Sequence, residues 1–413
     1  MRIVLSTYGS LGDLHPLIAA GLELRERGHD VVFATNFSHE ERVTRHGFEF
    51  HSIRPHISPE DPAAVAYLMD LKRGPERMLR ELLFPALRDM YADLRDACAG
   101  ADLLFAGELV YAAPMLAEKS GIAWASFALA PLSFFSAYDP PVVPPYPWLA
   151  HFYRFGPAVG RLIARFGHAV TKSWIGPVLE LRKELGLPEG PHPVFEGKFS
   201  PRLVVAMFSS VMATPQRDWP PNTVQTGFTF YDAATGALPP ELEAFLAAGE
   251  PPVVFTLGSA AVLDPGAFFH QSIEAAARLG IRALIIAGES QPKETPPPNV
   301  HVTGYAPYSA TFARAAAVVH QGGIGTTAQA LRAGKPMIVV PYGFDQPDNA
   351  ARVRRLGVAE TIARGKYNSD RVVAALQRIL GDAAYAQRAE AVAQKVRAED
   401  GVRAACDALT RCS

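Results

Sequence analysis

Apolar and polar positions along this chain come in blocks that repeat in one order. Residues 2–7, RIVLST, make a short β-rich apolar run that ends in the loop Tyr8-Gly9-Ser10-Leu11-Gly12. From Asp13 to Arg27 the residues Leu17, Ala20, Gly21 and Leu24 recur at helical spacing, the pattern stops at Gly28, and VVFAT follows at 31–35. Strand, helix and strand in such quick succession predict a βαβ unit in a parallel sheet. The pattern returns at DLLFAGE (102–108), a helix through Glu118 and IAWASFAL (122–129). Each strand ends in small or polar residues, at the carboxyl edge where open parallel sheets bind ligands.

A second series runs through PVVFTLGS (252–259), RALIIAGES (282–290), VHVTGYAP (300–307), AAVVHQGG (316–323) and PMIVVPYG (336–343). Between the two series, TPQRDWPP (214–221) and the Pro-, Gly- and Ala-rich stretch Gly236–Pro252 suit a domain linker. The pattern thus predicts an α/β chain of two Rossmann-like halves, and a length of 413 residues agrees, being too long for one typical core. The predicted divisions are 1–228, 229–385 and a helical tail, 386–413, packing back on the first domain.

A net charge of −1 offers no general attraction to nucleic acid or anionic membranes, so any charged ligand must be held locally. The three cysteines, Cys98, Cys406 and Cys412, have neither metal-like spacing nor an even count. MRIVLSTYGSLGD has one basic residue and too short an apolar run for a signal-peptide core. No apolar run approaches the ~20 residues of a membrane span. A cytoplasmic location is expected.

One segment departs from this even charge balance: residues 140–179 contain Arg154, Arg161, Arg165 and Lys172 but no acid. A basic, partly amphipathic helix there suits a helical flap whose apolar side packs on its own domain, the alternative being contact with a membrane surface or a lipid-like substrate. Just before it, YDPPVVPPYPW (138–148) reads as an irregular loop or lid.

The densest candidate chemistry lies in HQGGIGTTAQALRAGKPMIVVPYGFDQPDN, residues 320–349. An apolar run delivers His320 to a strand end, and Gly322, Gly323 and Gly325 turn the chain into a helix starting near Thr326. Backbone N–H groups at that helix start form an anion site, with hydroxyls of Thr326 and Thr327 and the His320 imidazole as further donors. The spacing fits neither a Walker loop nor the dinucleotide GxGxxG. A plain structural turn with a core-capping histidine is the other reading. Asp345 and Gln346, after the next strand, suit paired hydrogen bonds to sugar hydroxyls, though an N-cap by Asp345 or Asp348 fits the same pattern.

Taken together, HQGGIGTT, PYGFDQPDNA, GYAP, TLGS, GSLGDLHP, AEKSGI, and TPQRDWPP followed by TGFTFYD resemble the landmarks of family 1 inverting glycosyltransferases. The order is similar to bacterial members of the rhamnolipid rhamnosyltransferase B chain, sterol and antibiotic types. The resemblance implies the GT-B fold, two facing Rossmann-like domains with a deep interdomain cleft, the donor mainly on the C-terminal domain and the acceptor on the N-terminal one. By the same resemblance Tyr305 stacks on the donor base and Ala306 reads its edge; His320, Gly325, Thr326 and Ser259 contact the diphosphate, with Gly322 and Gly323 in the turn; Asp345 and Gln346 hold the sugar. Ser10 and Gly12 of the first loop join the expected donor contacts. Where plant members have an acid for the ribose hydroxyls this chain has Ala328, followed by Gln329, which makes a dTDP-sugar a candidate beside a UDP-sugar.

Inverting transfer needs a base for the acceptor hydroxyl. The resemblance assigns it to Asp13, with His15 as rival and Glu108 as a supporting acid. A simple N-cap is the alternative role for Asp13. Phe127, Phe134, Phe135, Tyr138 and Trp148 are expected to line an apolar pocket for a lipophilic acceptor such as a phenolic, a hydroxyacyl lipid or a macrolide. No metal, other cofactor or nucleic acid partner is expected. A non-catalytic nucleotide-sugar-binding subunit and a sugar-nucleotide epimerase remain the competing readings.

Overall fold

A computed structural model describes residues 1–57, 61–144, 146–232, 238–292 and 295–412. Gly236 of the expected linker and Pro145 of the expected lid lie outside the described residues. The chain divides into two compact units, one of Met1–Pro59, Lys72–Tyr231 and Glu399–Ser413, the other of Glu60–Leu71 and Asp232–Ala398.

The first unit holds seven parallel strands: β1 (Arg2–Ser6), β2 (Asp30–Thr35), β3 (Glu49–Ser52), β4 (Leu103–Gly107), β5 (Ala123–Ala128), β6 (Val204–Ala206) and β7 (Thr223–Gln225). Their order is β3-β2-β1-β4-β5-β6-β7, so strand order reverses between β1 and β4. Strands β1, β4 and β5 read as continuous apolar runs because helices cover both sheet faces. Ile3, Leu5, Leu17, Phe33, Phe105 and Val205 are buried together in this core, each such side chain stabilising the fold by about 1.5–3 kcal/mol.

In the second unit β8 (Val253–Thr256), β9 (Ala283–Ile286), β10 (Val300–Thr303), β11 (Ala317–His320), β12 (Met337–Val339) and β13 (Ala359–Thr361) are also all parallel. Their order, β10-β9-β8-β11-β12-β13, reverses between β8 and β11. Phe255, Ile285, Val319, Ile338 and Leu376 anchor its core.

The sequence pattern located the long buried strands but not β3, β6 and β7, which are short and, at the edges, half-exposed. The C-terminal division also differs from the expected one. The helix Ala383–Arg397 belongs to the second unit, packing on the helices Ile324–Arg332 and Ser369–Gly381, and only Gly401–Cys412 returns to the first. There Ala405, Cys406 and Leu409 enter the core, and Asp407 meets Arg27 at 2.6 Å. The reason is periodicity: the tail reads as helix from its sequence, and only tertiary contact reveals that it breaks at residues 398–400 and there changes partner.

Candidate active site

Two clusters of chemically capable side chains sit at the two strand-order reversals, the places where doubly wound sheets open a crevice at their carboxyl edge. In the first unit the chain leaves β1 through Thr7–Ser10 and enters the helix Leu11–Glu26. Ser10 is the N-cap, and Asp13 stands three positions on, completing a capping box. The Ser10 amide donates to Asp13 Oδ2 at 2.8 Å and the Ser10 hydroxyl at 3.2 Å. Glycine is required at position 9, because a Cβ there would lie 2.3 Å from Asp13 Oδ2.

Burial pushes the Asp13 carboxyl up to about 6; the Ser10 bonds oppose this and the nearby Glu108 charge adds to it. The result is a carboxylate fixed in direction whose proton affinity lies close to neutral pH, as a general base requires. The N-cap role falls to Ser10, so capping and base are compatible functions of this loop.

Glu108 follows β4, the neighbour of β1 at the reversal. It accepts from Ser133 Oγ at 2.8 Å and from Lys198 Nζ at 2.5 Å. The ammonium lies 5.5 Å from the Phe135 ring centroid and 5.3 Å from that of Phe199, so it is paired inside an aromatic wall. Glu108 therefore acts on Asp13 through its charge. His15 packs against Tyr231, with ring centroids 5.1 Å apart, and burial together with Arg42 and Arg45 lowers its pKa to about 4. It is neutral at physiological pH.

Some expected contacts lie elsewhere. The Ser10 hydroxyl donates to Asp13 and accepts from Gly12 N at 3.2 Å, so both residues of the expected donor pair take part in the helix cap. Phe127 is buried against Phe105, and Phe134 is stacked between Trp219 and Phe199 at 4.3 and 5.3 Å. Both are core residues, because β5 is an interior strand and the turn after it folds back on the sheet. Phe135, in left-handed backbone at φ +46°, packs against Phe195, and Tyr138 and Trp148 are exposed.

In the second unit the loops after β8 and β11 meet. Gly258, at φ +68°, lets the first loop pass so close to Gln321 that a Cβ would stand 2.2 Å from its Nε2. His320, at the end of β11, is fully buried. Its Nδ1 accepts from Gly322 N at 3.1 Å, and its Nε2 lies 3.4 Å from Met337 Sδ. With both ring nitrogens engaged within the fold and burial lowering its pKa to about 3, His320 caps the turn as a neutral ring.

The neighbouring Gln321 is the better candidate. It is 6% exposed, and its amide nitrogen, which donates one N–H to Thr326 Oγ1 at 3.4 Å, keeps a second N–H for an anion. The helix Ile324–Arg332 begins at Gly323 with no side-chain cap, which leaves its first N–H groups for a ligand. Ser259, after β8, and Tyr305, after β10, are exposed, and Ala306 is buried.

After β12, Phe344 adopts φ +52°, a left-handed conformation unusual for a bulky residue and worth about 1–3 kcal/mol of strain. Gln346 Oε1 accepts from Tyr342 N at 2.8 Å and Gly343 N at 3.1 Å, so its acceptor holds this loop and only its amide donors remain for a sugar. Asp345 Oδ2 accepts from Asn349 Nδ2 at 2.6 Å, and the same nitrogen reaches Gly322 O at 3.0 Å. Asn349 thereby ties the Asp345 end of the cluster to the glycine turn.

Residues 3–125 match the glycosyltransferase family 28 N-terminal domain, and residues 272–405 the erythromycin biosynthesis protein CIII-like C-terminal domain. O-mycaminosyltylonolide 6-deoxyallosyltransferase of Streptomyces fradiae is 35% identical over 98% of this chain and 96% of its own. The chain belongs to the family 1 glycosyltransferases. The glycosyltransferase also shares its GT-B fold with solved structures. The glycotransferase of kitacinnamycin superposes with a TM-score of 0.75 at 22% identity, covering 100% of this chain and 98% of that one. The glycosyltransferase VinC, in complex with DTDP, gives 0.71 at 19% identity, covering 100% and 99%. The protein is accordingly an enzyme that transfers a sugar.

Three residues of the two clusters, Gln321, Asn349 and Lys198, were not among those the sequence singled out. Gln321 lay inside the quoted motif but beside a more eye-catching histidine, and Asn349 is one helical turn after Asp345, a spacing that signals contact. Lys198 gave no signal, being 90 residues from Glu108. Lys198→Met is expected to move the acidic limb of the pH–rate profile upward, since the Glu108 charge then acts on Asp13 uncompensated. An unmoved limb measured by initial rates would remove Lys198 from the electrostatics of the base.

Proposed function

We propose that the enzyme performs inverting transfer of a hexose or deoxyhexose from a nucleoside diphosphate sugar to a hydroxyl of a lipophilic small molecule, with Asp13 as general base. The carrying observation is the Asp13 carboxyl, oriented by Ser10 at the strand-order reversal and raised to about 6. In this reading the acceptor oxygen gives its proton to Asp13 and bonds to the anomeric carbon as the bond from that carbon to the diphosphate breaks. The uncapped start of the helix Ile324–Arg332, with Gln321 and Thr326, takes up the charge on the leaving diphosphate without a metal.

Ala328 is buried, and Gln329 Oε1 accepts from Arg332 at 2.8 Å. That helix turn therefore offers no carboxylate for a ribose 2′-hydroxyl, which supports a thymidine rather than a uridine donor. The DTDP complex of VinC and the deoxysugar in the name of the Streptomyces fradiae relative point the same way. With dTDP-rhamnose and UDP-glucose offered beside phenolic, hydroxyacyl and macrolide acceptors, product mass and free nucleoside diphosphate are expected only with the thymidine donor, and in the presence of EDTA. The product anomer, read by NMR, is expected to be inverted. Because the base must be ionised, kcat/KM is expected to rise with pH through about 6 and then level off. A profile already flat below pH 5 would exclude Asp13 as the base, and hydrolysis or epimerisation without transfer would overturn the reading as a whole.

A further inference from the structure

The helix Pro157–Thr171 in the first unit is built inside out. Its exposed positions are Ala158, Arg161, Leu162, Arg165, Phe166 and Ala169, which recur at three- and four-residue spacing on one face. The inward face carries two glycines beside the half-buried Ile163 and His168: a Cβ on Gly160 would lie 2.9 Å from Ala137 Cα, and one on Gly167 would lie 3.1 Å from the Phe195 ring. Close backbone approach fixes this helix to the body, while its large apolar side chains, Leu162 at 64% and Phe166 at 55% exposed, point into solvent. A flap packed by its whole apolar side would bury these two side chains as well.

The chain just before it adds to the same surface. Trp148, Phe152 and Phe155 are 56%, 44% and 62% exposed, and the Arg154 guanidinium stacks 4.9 Å above the Phe155 ring. Arg154, Arg161, Arg165 and Lys172 are exposed, and none has a carboxylate partner among the described residues. The nearby acid Glu196 is engaged by His168 at 3.1 Å. Elsewhere the arginines are commonly paired, as Arg27 with Asp407, Arg54 with Asp93 and Arg182 with Glu118.

We propose that the outward face of Pro157–Thr171 and the turns 146–155 form a docking surface for a bilayer that carries anionic lipids. On this helix each large apolar tip has an arginine next to it, Arg161 by Leu162 and Arg165 by Phe166. Such pairs match the layering of a membrane interface, with apolar tips entering the acyl boundary and the guanidinium groups staying among the phosphates. Four cations with no carboxylate partner among the described residues supply the charge complementarity, worth attraction only within a Debye length of an anionic surface. No described helix is long and apolar enough to cross a membrane, so the contact is peripheral.

The test is sedimentation of the full chain with vesicles of phosphatidylcholine alone and of equal parts phosphatidylcholine and phosphatidylglycerol. Binding is expected to the anionic vesicles only, to weaken with added sodium chloride, and to fall at least about tenfold in Leu162→Glu/Phe166→Glu and in Arg161→Glu/Arg165→Glu. The milder Leu162→Ala/Phe166→Ala and Arg161→Gln/Arg165→Gln pairs, checked for an unchanged thermal midpoint, guard against misfolding and are expected to weaken binding in the same direction. Three results would overturn the proposal: wild-type protein left in the supernatant, equal binding to both vesicle types, or folded variants that bind as wild type does. Light scattering that finds a wild-type dimer split by these substitutions, with no vesicle binding, would assign the face to a second copy instead.

Discussion

Asp13→Asn is expected to lower kcat by about 10²–10⁴-fold while leaving the affinity for thymidine diphosphate nearly unchanged. The amide keeps the size of the carboxyl, and its oxygen can still accept from the Ser10 amide, so the helix cap survives while the proton acceptor is lost. Nucleotide binding by calorimetry and turnover by product formation separate the two effects. Turnover within a fewfold of wild type would sink the assignment of the base.

The same substitution carries a stability signature of predictable sign. The Asp13 carboxyl titrates near 6 in the folded chain against an ordinary 3.8, so the fold favours the protonated form. Stability from this group is fully present below the ordinary value and is lost as pH rises through about 6. The ionised carboxyl then costs about 2 kcal/mol once residual solvent exposure is allowed for. Asp13→Asn should therefore raise the thermal midpoint at pH 8 and leave it nearly unchanged at pH 4. Equal shifts at both pH values would mean that the carboxyl is not strained by burial.

A pair of neighbouring substitutions is expected to split stability from ligand binding in the second unit. His320→Ala removes a fully buried ring and leaves the Gly322 N–H without its acceptor, at a cost of about 2–4 kcal/mol of stability. Gln321→Ala opens only the edge of the turn, and is expected to weaken thymidine diphosphate binding about tenfold while changing stability by less than about 1 kcal/mol. Denaturant titration and calorimetry on the two variants read these quantities. The opposite pattern, a stable His320→Ala that has lost the nucleotide and an unaffected Gln321→Ala, would restore the histidine as the anion donor.

Much of the site was visible in the order of residues. The apolar runs before Gly9 and His320 marked β1 and β11, and the glycines after them marked turns into helices, because buried parallel strands and tight turns each need particular residue types locally. Asp13 and Asp345 were readable for the same reason: each follows a strand by a short loop. Within the aromatic segment 127–148, Phe127 and Phe134 belong to the core, because composition cannot distinguish a ring facing a pocket from one facing a sheet.

Local sequence thus determined the two parallel-sheet halves, the glycine turns and the position of Asp13, the proposed base, on its helix, since these depend on periodicity and backbone freedom over a few residues. Tertiary structure alone decided which groups remain available. It closed both nitrogens of His320, turned the Gln346 oxygen inward, brought Lys198 to Glu108 and set Leu162 and Phe166 outward. The physical reason is that hydrogen-bond satisfaction and burial are settled between residues far apart in the chain, where neither spacing nor propensity carries information.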